Sequence, residues 1–142
     1  MTGKQAYLTW IVDDDAEYGL LLQKAFFEKK LESRLDFFLS GQLVMERLDN
    51  ADGELPDLIL LDLELPKQDG IDTLSAIRNN PRGKYIPVLM VSNSASPATI
   101  SLCYQLGVNA YVVKPNRFDD LAYFVNSICR YWLEMSDQLT RT

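Results

Sequence analysis

Apolar and polar positions follow two rhythms along this chain. Short runs of consecutive apolar residues alternate five times with stretches in which apolar residues recur every three or four positions. The first rhythm marks strands and the second marks helices packed on one side. A first strand is predicted over Tyr7–Val12, ending at Asp13-Asp14-Asp15, and a helix follows with Tyr18, Leu21, Leu22, Ala25 and Phe26 on one face. The pattern places a second strand over 34–39 and a second helix over 42–49. Pro56 precedes a third strand, Asp57–Leu61, which ends at Asp62. Pro66-Lys67-Gln68-Asp69-Gly70 reads as a turn. Asp69 is the expected cap of a third helix bearing Ile71, Leu74 and Ile77, and Gly70 is a backbone requirement. Pro87 opens a fourth strand, Val88–Val91, which ends at Ser92. The fourth helix starts near Pro97, a residue suited to a first turn, and stops at Leu106-Gly107 with the glycine as its cap. The fifth strand, Ala110–Val113, ends at Lys114-Pro115, and the fifth helix presents Phe118, Leu121, Val125, Ile128 and Trp132.

Strands one, three and four are almost wholly apolar, as strands covered by helices on both faces must be. The alternation therefore predicts an α/β doubly wound fold with a parallel sheet and right-handed connections. At 142 residues, with no repeat, low-complexity tract or linker, the chain reads as one domain spanning 1–142. A net charge of −6 disfavours contact with nucleic acid or anionic lipid. The longest apolar runs are too short to span a bilayer, and the N-terminus has no secretory signal pattern. Cys103 and Cys129 have no metal-ligand spacing and read as reduced helix residues, which predicts a cytoplasmic location. The absence of histidine excludes imidazole metal sites, Ser-His triads and a phosphohistidine on this chain.

In an open parallel sheet, sites form beyond the carboxyl ends of the strands. Those ends supply Asp13 and Asp14, Asp62, Ser92 and Lys114. Three converging carboxylates repel one another and call for a hard, oxygen-seeking divalent cation. A carboxylate can accept a phosphoryl group covalently. The transferred group then needs its three equatorial oxygens neutralised: by magnesium, by the Lys114 ammonium and by the Ser92 hydroxyl. These five residues are a complete parts set for making an aspartyl phosphate.

The segments Ile11-Val12-Asp13-Asp14-Asp15, Leu60-Leu61-Asp62-Leu63-Glu64-Leu65-Pro66 with Asp69-Gly70, Val88-Leu89-Met90-Val91-Ser92 and Tyr111-Val112-Val113-Lys114-Pro115 resemble the receiver domains of bacterial response regulators. The resemblance covers nearly the whole chain. It implies a flavodoxin-like, five-stranded parallel sheet in order 2-1-3-4-5, with Asp62 taking phosphate from the phosphohistidine of a sensor histidine kinase or phosphotransfer protein. It implies that Asp14 and Asp62 bind Mg2+ (or Mn2+) through their side chains and Glu64 through its main-chain carbonyl, with Asp13 acting through water. Ser92 and Lys114 would hold phosphoryl oxygens, and Tyr111 would move inward as Ser92 swings toward phosphate. Ile86-Pro87-Val88, Leu106–Tyr111 and the aromatic end of the fifth helix are similar to stand-alone receivers associated with bacterial phytochromes. That similarity implies a homodimer through helix 4, strand 5 and helix 5. Three departures stand out: Ser92 where threonine is commoner, Glu64 beside the path of hydrolytic water, and Asn116 after Lys114-Pro115.

Plainer readings exist for each residue. Asp15 is the expected start of the first helix rather than a ligand. Tyr111 alone would be packing, and Ser92 a turn residue. Phe118, Tyr123, Phe124, Tyr131 and Trp132 exceed what one buried stripe requires, which points to a partner surface. An aspartate-based phosphatase of the haloacid dehalogenase type shares the parts but carries its nucleophile on the first motif strand as Asp-x-Asp. A phosphorylation-independent binding module on the same fold would not need all five site residues. Little chain follows the fifth helix, so no output domain is expected, and the switch is expected to act by protein–protein contact and not as an enzyme.

Overall fold

The computed structural model describes residues 7–29, 33–65 and 69–135. Its elements run β1 (Tyr7–Val12), α1 (Ala16–Glu28), β2 (Ser33–Phe38), α2 (Gly41–Leu48), β3 (Leu58–Asp62), α3 (Gly70–Asn79), β4 (Val88–Ser92), α4 (Pro97–Gln105), β5 (Ala110–Val113) and α5 (Phe118–Ile128). A π-helical turn, Cys129–Met135, continues α5. The strands form one parallel sheet in order β2-β1-β3-β4-β5, the flavodoxin-like arrangement.

Side chains alternate across the sheet and build two cores. Leu8, Trp10, Val12, Ile59, Leu61, Val88 and Met90 meet α2, α3 and α4 through Val44, Leu48, Leu74, Ile77 and Cys103. Ile11, Leu58, Leu60, Leu89 and Val91 meet α1 and α5 on the other side, through Leu22, Phe26, Leu121, Phe124 and Val125. Every residue of β3 and β4 is buried, which is why both read as unbroken apolar runs. Burying one such leucine or valine contributes about 1.5–3 kcal/mol.

Local caps are where the sequence puts them. Asp15 caps α1 by accepting the Glu17 and Tyr18 N–H groups, and Asp69 caps α3 by accepting that of Asp72. Pro97 opens α4, and Gly107 ends it in a left-handed conformation (φ 100°). Two expectations are corrected. Leu21 lies off the buried face of α1, 41% exposed, because α1 covers the sheet through Tyr18, Leu22, Ala25 and Phe26. Phe124 belongs to the buried face of α5, since it packs one turn from Leu121 and Ile128. Cys129, one turn after Val125, and Leu133 continue that buried face into the π-helical turn. Both cysteines are free and buried. Pro66, Lys67 and Gln68 of the expected turn lie outside the described residues.

Two polar anchors were not evident in the sequence. The buried Asp57 carboxylate accepts the Leu8 N–H (2.9 Å) while the Asp57 N–H donates to the Leu8 carbonyl (2.7 Å), so the β1–β3 pairing is extended by a side chain. Arg78 of α3 donates to the carbonyls of Gly107, Gly83 and Ile86 and to Asn109 Oδ1, which also accepts the Val88 N–H. One guanidinium thus fixes the starts of β4 and β5. No helix among the described residues is long and apolar enough to cross a membrane.

Candidate functional site

The sheet register brings the strand ends together as a staircase. Val12 of β1 pairs with Leu61, so Asp13 follows at the level of Asp62. Asp62 pairs with Val91, which puts Ser92 one step further, and Ser92 pairs with Val113, which puts Lys114 one step beyond that. Asp13, Asp62, Ser92 and Lys114 are all buried, and Asp14 is exposed at the mouth.

Lys114 Nζ donates to Asp13 Oδ2 at 2.9 Å and stands 3.8 Å from Asp62 Oδ2. Asp13 also accepts the Asp15 N–H (2.9 Å), and Asp62 accepts the Glu64 N–H (3.1 Å), so backbone bonds orient both carboxylates. Asp13, Asp14 and Asp62 each bring one carboxylate oxygen within 4.8 Å of the others. Burial pushes the Asp62 carboxyl up to about 7, aided by the Asp13 charge and by the Glu64 side chain, against the pull of the Glu64 N–H and of Lys114. Burial draws Lys114 down, but its bond to Asp13 and the charges of Asp13, Asp62 and Asp15 outweigh this and raise it. Two buried carboxylates and one exposed one against a single ammonium leave a charge deficit that a divalent cation fits. All-oxygen donors at this spacing suit a hard cation.

Of the five residues expected at the strand ends, Asp13, Asp14, Asp62 and Lys114 lie together, and Ser92 ends the neighbouring strand; sequence reasoning missed the groups that support them. Lys114 Nζ lies 4.2 Å from the centre of the Tyr18 ring, and the Tyr18 hydroxyl donates to the Pro115 carbonyl (3.1 Å). Periodicity had assigned Tyr18 only to the apolar face of α1. Its position one helical turn after Asp14 was the available signal. Burial, with the charges of Asp13 and Asp62, raises the Tyr18 hydroxyl far above its usual range, so it stays protonated. Ser92 Oγ donates to Glu64 Oε1 (2.9 Å) and accepts the Ser94 N–H (3.0 Å). The Tyr111 hydroxyl donates to the Ser94 carbonyl (2.8 Å). Gly70 permits the close approach of α3 to the end of β3: its N–H donates to the Leu63 carbonyl at 2.8 Å, and a Cβ there would fall 2.6 Å from Leu63 Cα and meet the Asp62 carbonyl oxygen.

A five-stranded doubly wound sheet with an acidic cluster, a hydroxyl and a lysine at its strand ends defines a receiver. The chain belongs to the response regulator receiver domains of two-component signalling, matching that family over residues 9–126. Receiver domains of this family interact with histidine kinases or phosphotransfer proteins. Among individual relatives, the chain is 34% identical over 129 residues to response regulator Rcp1 of Synechocystis sp., covering 87% of each protein. It is 32% identical over 136 residues to the probable methanogenesis regulatory protein FilR2 of Methanothrix harundinacea, covering 94% of this chain and 88% of that protein. Among solved structures, the phosphorylated cyanobacterial phytochrome response regulator RcpA superposes with a TM-score of 0.87 at 31% identity, covering 94% of this chain and 99% of that one. The Mn(2+)-bound form of Rcp1 superposes with a TM-score of 0.83 at 31% identity, covering 93% and 98%.

Proposed function

We propose that this receiver is a phosphoacceptor switch modified on Asp62 by a partner histidine kinase or phosphotransfer protein. The observation that carries this reading is the convergence on one buried carboxylate of an ammonium at 3.8 Å and two further carboxylates within 4.8 Å. An Asp62 oxygen attacks the phosphorus of a phosphohistidine, the P–N bond breaks, and its electron pair leaves with the imidazole nitrogen. Lys114 neutralises charge on the arriving group and Ser92 donates to one of its oxygens. Asp14 and Asp62 would hold Mg2+ (or Mn2+) with the Glu64 carbonyl, and Asp13 through water. That cation supplies charge neutralisation for the attacking carboxylate and the phosphoryl oxygens. Asp13, paired with Lys114, keeps the ammonium aimed between the two carboxylates. Tyr18 backs the Lys114 ammonium from the α1 side, and Tyr111 reports the setting of Ser92 through Ser94.

The test is intact mass after incubation with a small phosphoryl donor, with and without magnesium, beside Asp62→Asn. One added phosphoryl group that needs magnesium and is lost in the variant supports the reading. No adduct, even after rapid acid quench, contradicts it.

A second copy of the chain is the proposed occupant of the face made by the edge strand β5 with α4 and α5. Tyr104, Val113 and Tyr123 on these elements are 50%, 54% and 75% exposed. Apolar and aromatic exposure on adjoining elements is characteristic of an interface. Sedimentation at increasing concentration should show dimer. Monomer throughout, with and without a phosphoryl mimic, would exclude it.

A further inference from the structure

One line of hydrogen bonds runs from the rim of the site into the helical side of the sheet, and every link is a protein group. The Glu64 carboxylate accepts the Ser92 hydroxyl at 2.9 Å, Ser92 Oγ accepts the Ser94 N–H at 3.0 Å, and the Ser94 carbonyl accepts the Tyr111 hydroxyl at 2.8 Å. Ser92 is fully buried, so water does not compete for its hydroxyl. A hydroxyl has one proton to give. Ser92 can give it to Glu64 or to a phosphoryl oxygen on Asp62, but not to both.

We propose that the Glu64 side chain sets the switch: its carboxylate takes the Ser92 hydroxyl in the way a phosphoryl oxygen would, and thereby holds Tyr111 on the Ser94 carbonyl ahead of phosphorylation. The competition with phosphate rests on Asp62 being the phosphoacceptor. The hold on Tyr111 does not.

Three features make Glu64 suited to this. A carboxylate acceptor gives a charge-assisted bond, stronger than one to a neutral oxygen. Glu64 is tied to Asp62 through its own N–H (3.1 Å), so its side chain starts from a fixed point beside the acceptor. Ser92 has no γ-methyl to lock its rotamer, so hydrogen bonding rather than packing chooses where its hydroxyl points. A threonine at this position would be held by its own branching. The pairing of Ser92 with Glu64 therefore converts a rotor into a set position, and Ser94 passes that position to Tyr111. Tyr111 is in turn fixed to α4, because its N–H donates to the Tyr104 hydroxyl at 3.1 Å. The state of Glu64 is thus transmitted to the α4–β5 surface.

The experiment uses 19F NMR of the full chain labelled with 3-fluorotyrosine, with the Tyr111 resonance assigned by Tyr111→Phe. Spectra are taken before and after adding magnesium and beryllofluoride. In the wild-type chain, Tyr111 should already lie close to its position with beryllofluoride. Glu64→Leu should displace the resonance before addition and return it afterwards. Glu64→Gln, whose amide oxygen accepts the same proton, should keep the wild-type position. Ser92→Ala should displace Tyr111 as Glu64→Leu does, and the double variant should add nothing further. Coincident Tyr111 resonances in wild type and Glu64→Leu before addition would overturn the proposal, as would a Glu64→Gln spectrum matching Glu64→Leu. A chain whose resonances all ignore beryllofluoride would overturn the phosphoacceptor reading instead, while the spectra before addition still decide the role of Glu64.

Discussion

Lys114 Nζ stands 4.2 Å above the ring of Tyr18, so the ammonium that faces two carboxylates is backed by an aromatic face on its other side. The ring attracts the cation without offering it a proton acceptor, and burial strengthens that attraction. Tyr18→Phe keeps the ring and loses only the bond to the Pro115 carbonyl, at a cost of about 0.5–1.5 kcal/mol. Tyr18→Leu loses both and should cost about 2 kcal/mol more than that bond alone. Chemical denaturation of the two variants checks the difference. Phosphorylation should slow in Tyr18→Leu and not in Tyr18→Phe.

Asp13 and Lys114 form a buried ion pair at 2.9 Å. Removing the cation leaves Asp13 and Asp62 facing each other without compensation. Lys114→Met in the presence of a chelator should lose roughly 3 kcal/mol of stability. Added magnesium should restore part of it, because a bound cation stabilises the folded state only. A melting curve with and without magnesium tests both statements.

Burial of Asp62 predicts a pH dependence of stability with a definite sign. Its folded value is raised to about 7 from an ordinary 3.8, first by burial and then by Asp13 and Glu64. The folded chain therefore holds more protons than the unfolded one between those values. Stability in chelator should fall as pH rises from about 4 to 7 and then level off, by on the order of a few kcal/mol. Asp62→Asn should remove most of this slope and be the more stable protein at pH 7. Urea midpoints across that pH range decide it. A wild-type stability that rises through the window would contradict the burial account.

Gly70 carries a steric prediction. Gly70→Ala puts a methyl 2.6 Å from Leu63 Cα and against the Asp62 carbonyl oxygen, both backbone atoms. Overpacking of that kind costs roughly 1–3 kcal/mol. Because the displaced atoms belong to Asp62 and the residue after it, phosphorylation at the proposed acceptor should also slow. Stability loss with an unchanged phosphorylation rate would mean that α3 moves and Asp62 does not.

The strand ends were legible because a buried parallel strand must be apolar along its whole length, so the first charged residue marks where it leaves the sheet. Asp13, Asp62 and Lys114 announce themselves in this way, and register does the rest. The helix faces were less legible. Leu21 and Phe124 sit next to true face residues in the helical wheel, and which of two neighbours is buried depends on how the helix rolls on the sheet. The supports of the site were not legible at all. Tyr18 meets Pro115, and Ser92 meets Glu64, across separations of 97 and 28 residues, where no local rhythm carries information. Arg78 has the same character, since its carbonyl partners leave no mark on composition.

In the proposed switch, Asp62 itself accepts the phosphoryl group. Borohydride reduces an acyl phosphate to the alcohol, so a phosphorylated aspartate becomes homoserine while an ionised one is untouched. Peptide mass spectrometry after phosphorylation in magnesium and borohydride trapping reads the position directly. Homoserine at position 62, absent without donor or without magnesium, is the predicted result. Homoserine at another aspartate such as Asp13 or Asp14, with Asp62 intact, would contradict the account.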